Sequence, residues 1–406
     1  MTDRAWQLDA NDPLAFARER FQLPSGIIYL DGNSLGALPA AAPRALGDTA
    51  ERQWGDDLIA SWNKHCWIDW PTFIAAKLAP IVGAKTNELL IADSTSVSLF
   101  KLLAAAARAR PSRKTILSQR RNFPTDLYVA RGLAEMLGMS LKAAEPQDVI
   151  GAIDADTAVV TLTHVDYRTA AFYDMRAINE AARAAGALVV WDLSHSAGAI
   201  ELDLNSSGSE LAIGCGYKYL NGGPGAPAFI YIAERLQDEL DNPLRGWMGH
   251  SQPFAFVEDY QPADGILKFL TGTPSILALA ALEAGLATFE GIAMSDIAAK
   301  SRSLSKLFVE EVEACCEGEV RLASPSDPAQ RGSHVVFAHE EGYAVMQALI
   351  ARGVIGDFRA PDLMRFGFAP LYNAHSEMVR AADTLAGILR TREWDQPHFK
   401  EIAKVT

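Results

Sequence analysis

Six short, almost uninterrupted apolar runs mark the middle of the chain: Leu89–Ala92, Thr115–Ser118, Ala158–Leu162, Leu188–Trp191, Leu211–Gly214 and Ala228–Ile232. Between them apolar positions recur at helical spacing, as in Val97–Arg110, Thr125–Leu137 and Met175–Ala185. Strands apolar on both faces need helices on both faces, so the alternation predicts an α/β fold with a largely parallel sheet. Ligands of such sheets sit beyond the carboxyl ends of the strands. The alternation stops near Thr273-Pro274. Helical patterns at Ser275–Glu290 and Ser295–Glu313 follow, then strands at Val320–Leu322, Ser333–Ala338 and Met364–Gly367 with helices at Tyr343–Ala351 and Ser376–Arg390. That mixture predicts a smaller α+β domain. The expected division is an N-terminal segment (1–45) packed with the small domain, a large domain (46–290) and the small domain (291–406).

The N-terminal segment reads as a helix at Pro13–Phe21, a short strand at Gly26–Leu30 and a turn cluster, Asp31-Gly-Asn33-Ser34-Leu-Gly36. A helix is expected from Pro43 to Ile59. Trp62, His65, Trp67 and Trp70 then crowd into nine residues, a density that suits an interface, a ligand wall or a satellite core cluster equally.

Composition narrows the partners. A chain of 406 residues exceeds one ordinary core. Its net charge of -13, with no Lys/Arg-rich run, argues against nucleic acid. Four cysteines, Cys66, Cys215, Cys315 and Cys316, fit neither a disulfide framework nor a zinc site, and no metal is expected. The first residues carry charges and no apolar run of signal-peptide type, and the most apolar stretch, Ile276–Glu283, meets a charge well short of a membrane span. A soluble cytoplasmic protein is the expectation.

Four features fall at strand ends. Lys218 closes an apolar run between Tyr217 and Tyr219 and precedes a glycine-rich turn; burial lowers the pKa of such an amine and makes it a usable nucleophile, although a solvated strand-end lysine reads the same way. Asp93-Ser94-Thr95-Ser96 opens a helix, as an anion site or a plain N-cap does. Phe123-Pro124-Thr125-Asp126 opens another, with Phe123 placed to stack on a planar ring or to fill a core. Asp192, ending a buried strand just before His195, needs a cation or donors. An amine, a ring-nitrogen partner, a phosphate cup and a stacking aromatic have one ligand in common, pyridoxal 5'-phosphate.

The motifs also resemble a family. Gly32-Asn33-Ser34-Leu35-Gly36, Asp93–Ser96, Phe123–Asp126, Asp192–His195, Tyr217–Asn221, Arg245–His250 and Arg365–Asn373 are similar, in order, to those of the kynureninases. These are fold-type-I pyridoxal-phosphate enzymes, transferase-like in architecture and related to class V aminotransferases and cysteine desulfurases. The resemblance implies a seven-stranded, mainly parallel sheet and a homodimer with shared active sites. It implies that Lys218 bonds the cofactor, that Asp192 pairs with its ring nitrogen beside His195, and that Phe123 stacks on the ring. Thr95, Ser96, Asp126, Thr163 and Tyr217 would line the site, with Trp247 and Thr273 reaching the cofactor phosphate from the second subunit. Many relatives carry Asn at the position of Thr273.

The implied reaction, in tryptophan catabolism, is hydrolysis of L-kynurenine, and of 3-hydroxy-L-kynurenine as a second substrate left open, to anthranilate or its 3-hydroxy form and L-alanine. Tyr217, or a relay linked to the cofactor phosphate, is the acid/base expected to help water add to the aryl ketone. Arg365 is the expected partner of the substrate carboxylate. Ser34, His65, Trp62, Trp67 and Phe254 are expected at the aromatic ring. A desulfurase or selenocysteine-lyase chemistry is the alternative, but Cys315 and Cys316 sit among acids that make poor nucleophiles of them. A non-catalytic cofactor-binding module is a further alternative, against which the acidic charge and the absence of a basic helix-turn-helix speak.

Overall fold

The seven strands of the large sheet are β1 (Leu89–Ala92), β2 (Thr115–Gln119), β3 (Ser140–Ala144), β4 (Thr157–Thr163), β5 (Leu188–Asp192), β6 (Leu211–Cys215) and β7 (Ala228–Ile232). They lie in the order β1-β7-β6-β5-β4-β2-β3. Strand β7 runs antiparallel to both its neighbours, and the other pairings are parallel. This computed structural model describes residues 3–403, so Met1 and Thr2 of the N-terminal reading and residues 404–406 of the small domain lie outside the described residues.

The uninterrupted apolar runs have the cause inferred from them. Leu89, Ile91, Val189, Trp191, Phe229 and Tyr231 pack into one buried cluster, whereas the alternate residues Leu90, Leu188, Val190, Ile230 and Ile232 pack into another. Each strand thus buries both faces. The strand missing from the sequence reading is β3, Ser-Leu-Lys-Ala-Ala, which lies at the sheet edge with Ser140 and Lys142 exposed and its other positions partly so. It has no apolar run because only one side of it is paired.

Helix starts follow the sequence closely. Ser94 caps α1 (Thr95–Arg108) by accepting from Val97 N, and Pro124 occupies the first turn of α2 (Pro124–Leu137). Two expectations need correcting. The helix expected from Pro43 to Ile59 is regular only over Ala42–Asp48; it widens into a π-helix at Thr49–Asp56 and ends in a 3-10 turn at Leu58–Ala60. The Pro13–Phe21 helix is a 3-10 segment at Ala15–Arg20.

The second sheet is antiparallel throughout: β8 (Arg321–Leu322), β9 (His334–Ala338), β10 (Asp357–Arg359) and β11 (Leu363–Gly367), in the order β8-β9-β11-β10. Helices α3 (Met294–Cys315) and α4 (His375–Thr391) cover it, and its core contains Phe308, Phe337, Phe366 and Leu385. Ala5, Ile28 and Leu30 join this core, whereas Leu14, Ala17 and Phe21 join the large one. The N-terminal segment therefore stitches both layers. No described helix is long and apolar enough to cross a membrane.

Polar ties hold that stitch. Lys300 on α3 pairs with Asp12 at 2.6 Å, with both side chains about 5% exposed or less. Arg18 pairs with Glu377 at 2.7 Å. Breaking a buried pair leaves an uncompensated charge, so Asp12→Ala should cost about 3–5 kcal/mol in a urea titration. A loss under about 1 kcal/mol, the size of a surface pair, would show that water reaches Lys300.

Asp31 bridges to Gly367 where the two layers meet. Its carboxyl is pushed up to about 7, first by burial and then by the neighbouring Asp357. Between the unfolded value near 3.8 and about 7, the folded chain holds a proton that the unfolded chain releases. Stability from this group therefore falls as pH rises through that window. Asp31→Asn should shrink the loss of stability between about pH 5 and pH 7.5; an unchanged slope in urea midpoints would refute the assignment.

Candidate active site

Lys218 stands in the turn just past β6, half-buried, at the carboxyl edge of the large sheet. The Gly32–Gly36 turn clasps it from outside. Gly36 N donates to Tyr217 O at 2.8 Å, and a Cβ on Gly36 would come within 2.4 Å of Lys218 O and 2.5 Å of Asn221 Oδ1. Only glycine permits that approach. One residue group explains why the motif ends in Gly36.

The Lys218 amine meets His195 Nε2 at 3.2 Å, and the same nitrogen lies 3.0 Å from Asn33 O. A carbonyl only accepts and an ammonium only donates, so Nε2 serves Asn33 O when it carries the proton and Lys218 when it does not. Burial, and then the Lys218 charge, hold the His195 imidazole well below its ordinary pKa, so the ring is neutral. Its Nδ1 is buried without a partner.

Around Lys218 opens a cavity of about 580 Å³. Thr95, Ser96, Phe123, Asp126, Thr163, Asp192, His195 and Tyr217, all expected there, line it. Lys218 is the only Lys or Arg in that lining. Asp192 and Asp126 are both nearly fully buried. Asp192 accepts from Ser194 N at 2.8 Å and Ser194 Oγ at 2.6 Å, which orients one of its oxygens. Asp126 is pushed well above the usual carboxylate range, by burial first and by Asp192 next, while Thr163 Oγ1 donates to it at 3.2 Å. Two buried acids against one amine leave room for a further cation. Tyr217 is also pushed up, by burial first, so its phenol is protonated at neutral pH.

These groups fit pyridoxal phosphate. Its protonated ring nitrogen is the cation that the Asp192 pocket lacks. Ser94 serves as the N-cap, leaving the Thr95 and Ser96 hydroxyls without a hydrogen-bond partner among the described residues, at the N-terminus of a fourteen-residue helix, where anions are favoured. Phe123 faces Lys218, with its ring centroid 5.9 Å from Nζ and the Tyr217 ring at 5.8 Å.

Other expected residues lie elsewhere. Arg365 and Ser34 come together, but behind this cavity rather than in its lining. Arg365 is 2% exposed; its guanidinium holds Asp357 through Nε at 2.6 Å and through Nη2, donates to Tyr167 O at 2.8 Å and reaches Ser34 Oγ at 3.2 Å. A substrate carboxylate would compete there with Asp357, a residue on short strand β10 that carried no sequence signal. His65 pairs with Asp57 at 2.7 Å, and Trp62 stacks edge-on against Trp67, away from the cavity lining. Trp247 lies on the surface against Phe254 and Phe256. Thr273 lines a small neighbouring cavity that shares Asp93 and Gly225 with the Lys218 site. Residues missed by sequence reading include Ser194, which sits inside a quoted motif, and the buried His334, whose ring lies 5.5 Å from that of His195. The thiols of Cys315 and Cys316, raised by burial first, line a different cavity.

Comparison with known proteins extends this geometry. The chain shares its fold with a cysteine desulfurase from Thermococcus onnurineus NA1 (TM-score 0.80, 20% identity, 93% of this chain and 98% of that one). A cysteine desulfurase from Escherichia coli is also similar (TM-score 0.76, 18% identity, 93% and 98%). The family description "Kynureninase C-terminal domain" matches residues 297–385. Over its full length the chain is 48% identical to kynureninase of Pseudomonas fluorescens, covering 98% of each. It is 47% identical to kynureninase of Burkholderia mallei strain SAVP1, covering 100% of this chain and 99% of that one. With the ordered motifs and identity running from end to end, the chain belongs to the kynureninase family.

Proposed function

We propose that the chain hydrolyses L-kynurenine to anthranilate and L-alanine, with pyridoxal phosphate bonded to Lys218. The observation that carries this reading is the Lys218 cavity itself, where one amine faces two buried acids and the free hydroxyls of Thr95 and Ser96. When bound, the cofactor supplies an electron sink through its ring nitrogen.

The residues divide the remaining work. Asp192, oriented by Ser194, would hold the ring-nitrogen proton, Phe123 would pack the ring, and Thr95 and Ser96 would receive the phosphate. Lys218 Nζ would move the proton at the substrate α-carbon. Tyr217, protonated at rest, donates to the ketone oxygen as water adds, which lets the carbon–carbon bond break. Arg365 and Ser34 form the carboxylate end of the pocket, with Asp357 as the group that presets the guanidinium.

The assembly is part of the same proposal. Trp247, Phe254 and Phe256 form an exposed aromatic cluster (37%, 59% and 78% exposed). A patch of this kind suits a second copy of the chain. In such a dimer Trp247 and Thr273 reach the partner's phosphate site. The division into 1–45, 46–290 and 291–406 then separates a bridging segment, a cofactor layer and a cap. Four free cysteines accord with a cytoplasmic setting.

Lys218→Ala should abolish anthranilate fluorescence from L-kynurenine and the borohydride-sensitive yellow absorption of the holoenzyme. Retention of that absorption would remove Lys218 from the reading. Tyr217→Phe should lower kcat about 10²–10⁴-fold with little change in KM, and full turnover would exclude the phenol as proton donor. Mixing inactive Lys218→Ala and Trp247→Ala chains should restore about a quarter of wild-type activity, since half the dimers carry one intact shared site. No recovery, with subunit exchange verified, would mean that each site is built from one chain.

A further inference from the structure

A second cavity, of about 390 Å³, lies between the ends of β2 and β8, and shares no lining residue with the Lys218 site. Four arginines line it, Arg120, Arg121, Arg168 and Arg321. Arg120 pairs with Glu145 at 2.7 Å. Among the described residues, the guanidinium groups of the other three have neither an ion-pair partner nor a hydrogen-bond acceptor.

The cavity's other acid, Asp166, forms no ion pair with them among the described residues. Asp166 accepts from Arg168 N at 2.9 Å, Thr169 N at 2.8 Å and Thr169 Oγ1 at 2.9 Å, all through Oδ1, and from Gln119 Nε2 at 3.2 Å through Oδ2. It is committed to its own turn. A chain of net charge -13 thus gathers three unpaired cations from three separate segments around one concavity. A bound anion would relieve their mutual repulsion.

The floor adds an independent observation. Gln119 is 1% exposed, yet its Oε1 has no hydrogen-bond partner, and the Tyr173 hydroxyl is buried and likewise unpartnered. Buried polar atoms are left this way where a ligand or water completes them. The unpaired guanidinium groups call for several anionic oxygens, Tyr173 offers them a donor, and Gln119 Oε1 calls for an O–H.

We infer that this cleft binds a small multivalent oxyanion bearing at least one hydroxyl, such as a hydrogen-phosphate ester or a hydroxy-polycarboxylate. The site spans both sheets and adjoins the catalytic cavity. Arg168 follows Tyr167, whose ring packs edge-on against Phe123 with centroids 5.4 Å apart. Occupancy therefore braces the wall on which the cofactor ring rests.

The test is calorimetry on the holoenzyme, with pyrophosphate in one arm and citrate in the other at constant ionic strength. Using the loaded enzyme keeps the Thr95–Ser96 phosphate site out of the measurement. Saturable binding of about one anion per chain is expected in at least one arm, and the arm that binds identifies the phosphate or the carboxylate source. Arg168→Gln should weaken it about tenfold or more, as should the double variant Arg121→Gln/Arg321→Gln, whose positions are exposed and tolerate neutralisation without unfolding. Absence of saturable heat in both arms, or affinity unchanged in the double variant, would overturn the inference.

Discussion

The two sheets are joined through a buried polar layer, and that constraint organises the molecule. Asp31 bridges to Gly367, Asn33 O receives His195, and Arg365 binds Asp357, Ser34 and Tyr167 O in one network. An apolar seam would tolerate sliding; hydrogen-bonded and charged groups out of water accept only one register, because every misplacement strands a polar atom. The lysine, the neutral histidine and the two acids of the cavity inherit their positions from this layer. It also explains why both layers need the N-terminal segment, which supplies Asp31, Asn33 and Ser34 to the join.

How far the sequence disclosed this depends on the kind of signal. Strands β1, β2 and β4–β7 were legible because burial on both faces demands unbroken apolar runs. Edge strand β3, half exposed, has no such demand and left no trace. The lining residues Thr95, Ser96, Phe123 and Asp192 were legible because each lies where a strand ends or a helix opens, where a parallel sheet places its ligands, with His195 just beyond Asp192; Asp126, Thr163 and Tyr217 were reached through the motif resemblance. The π-helix at Thr49–Asp56 was not, since its apolar spacing imitates an α-helix.

Asp357 and His334 illustrate what spacing does not encode. Each is a single polar residue on a short antiparallel strand, and its importance arises from what lies across the sheet. Arg365 was recognisable as a residue of consequence, but its bidentate hold on Asp357 depends on pairing between β10 and β11. The arginine cleft is similar in kind. Its four cations are drawn from 120–121, 168 and 321, segments far apart in the chain that only the fold brings to one surface.

The bridge between Asp31 and Gly367 has a consequence in time. During synthesis the turn that clasps Lys218 emerges before the large sheet, whereas the strand that anchors it emerges after that sheet. The large sheet is complete long before, so a growing chain carries an assembled scaffold whose reactive lysine is still unclasped. Closure of the site is thereby coupled to the synthesis of β11, which follows every strand of the large sheet.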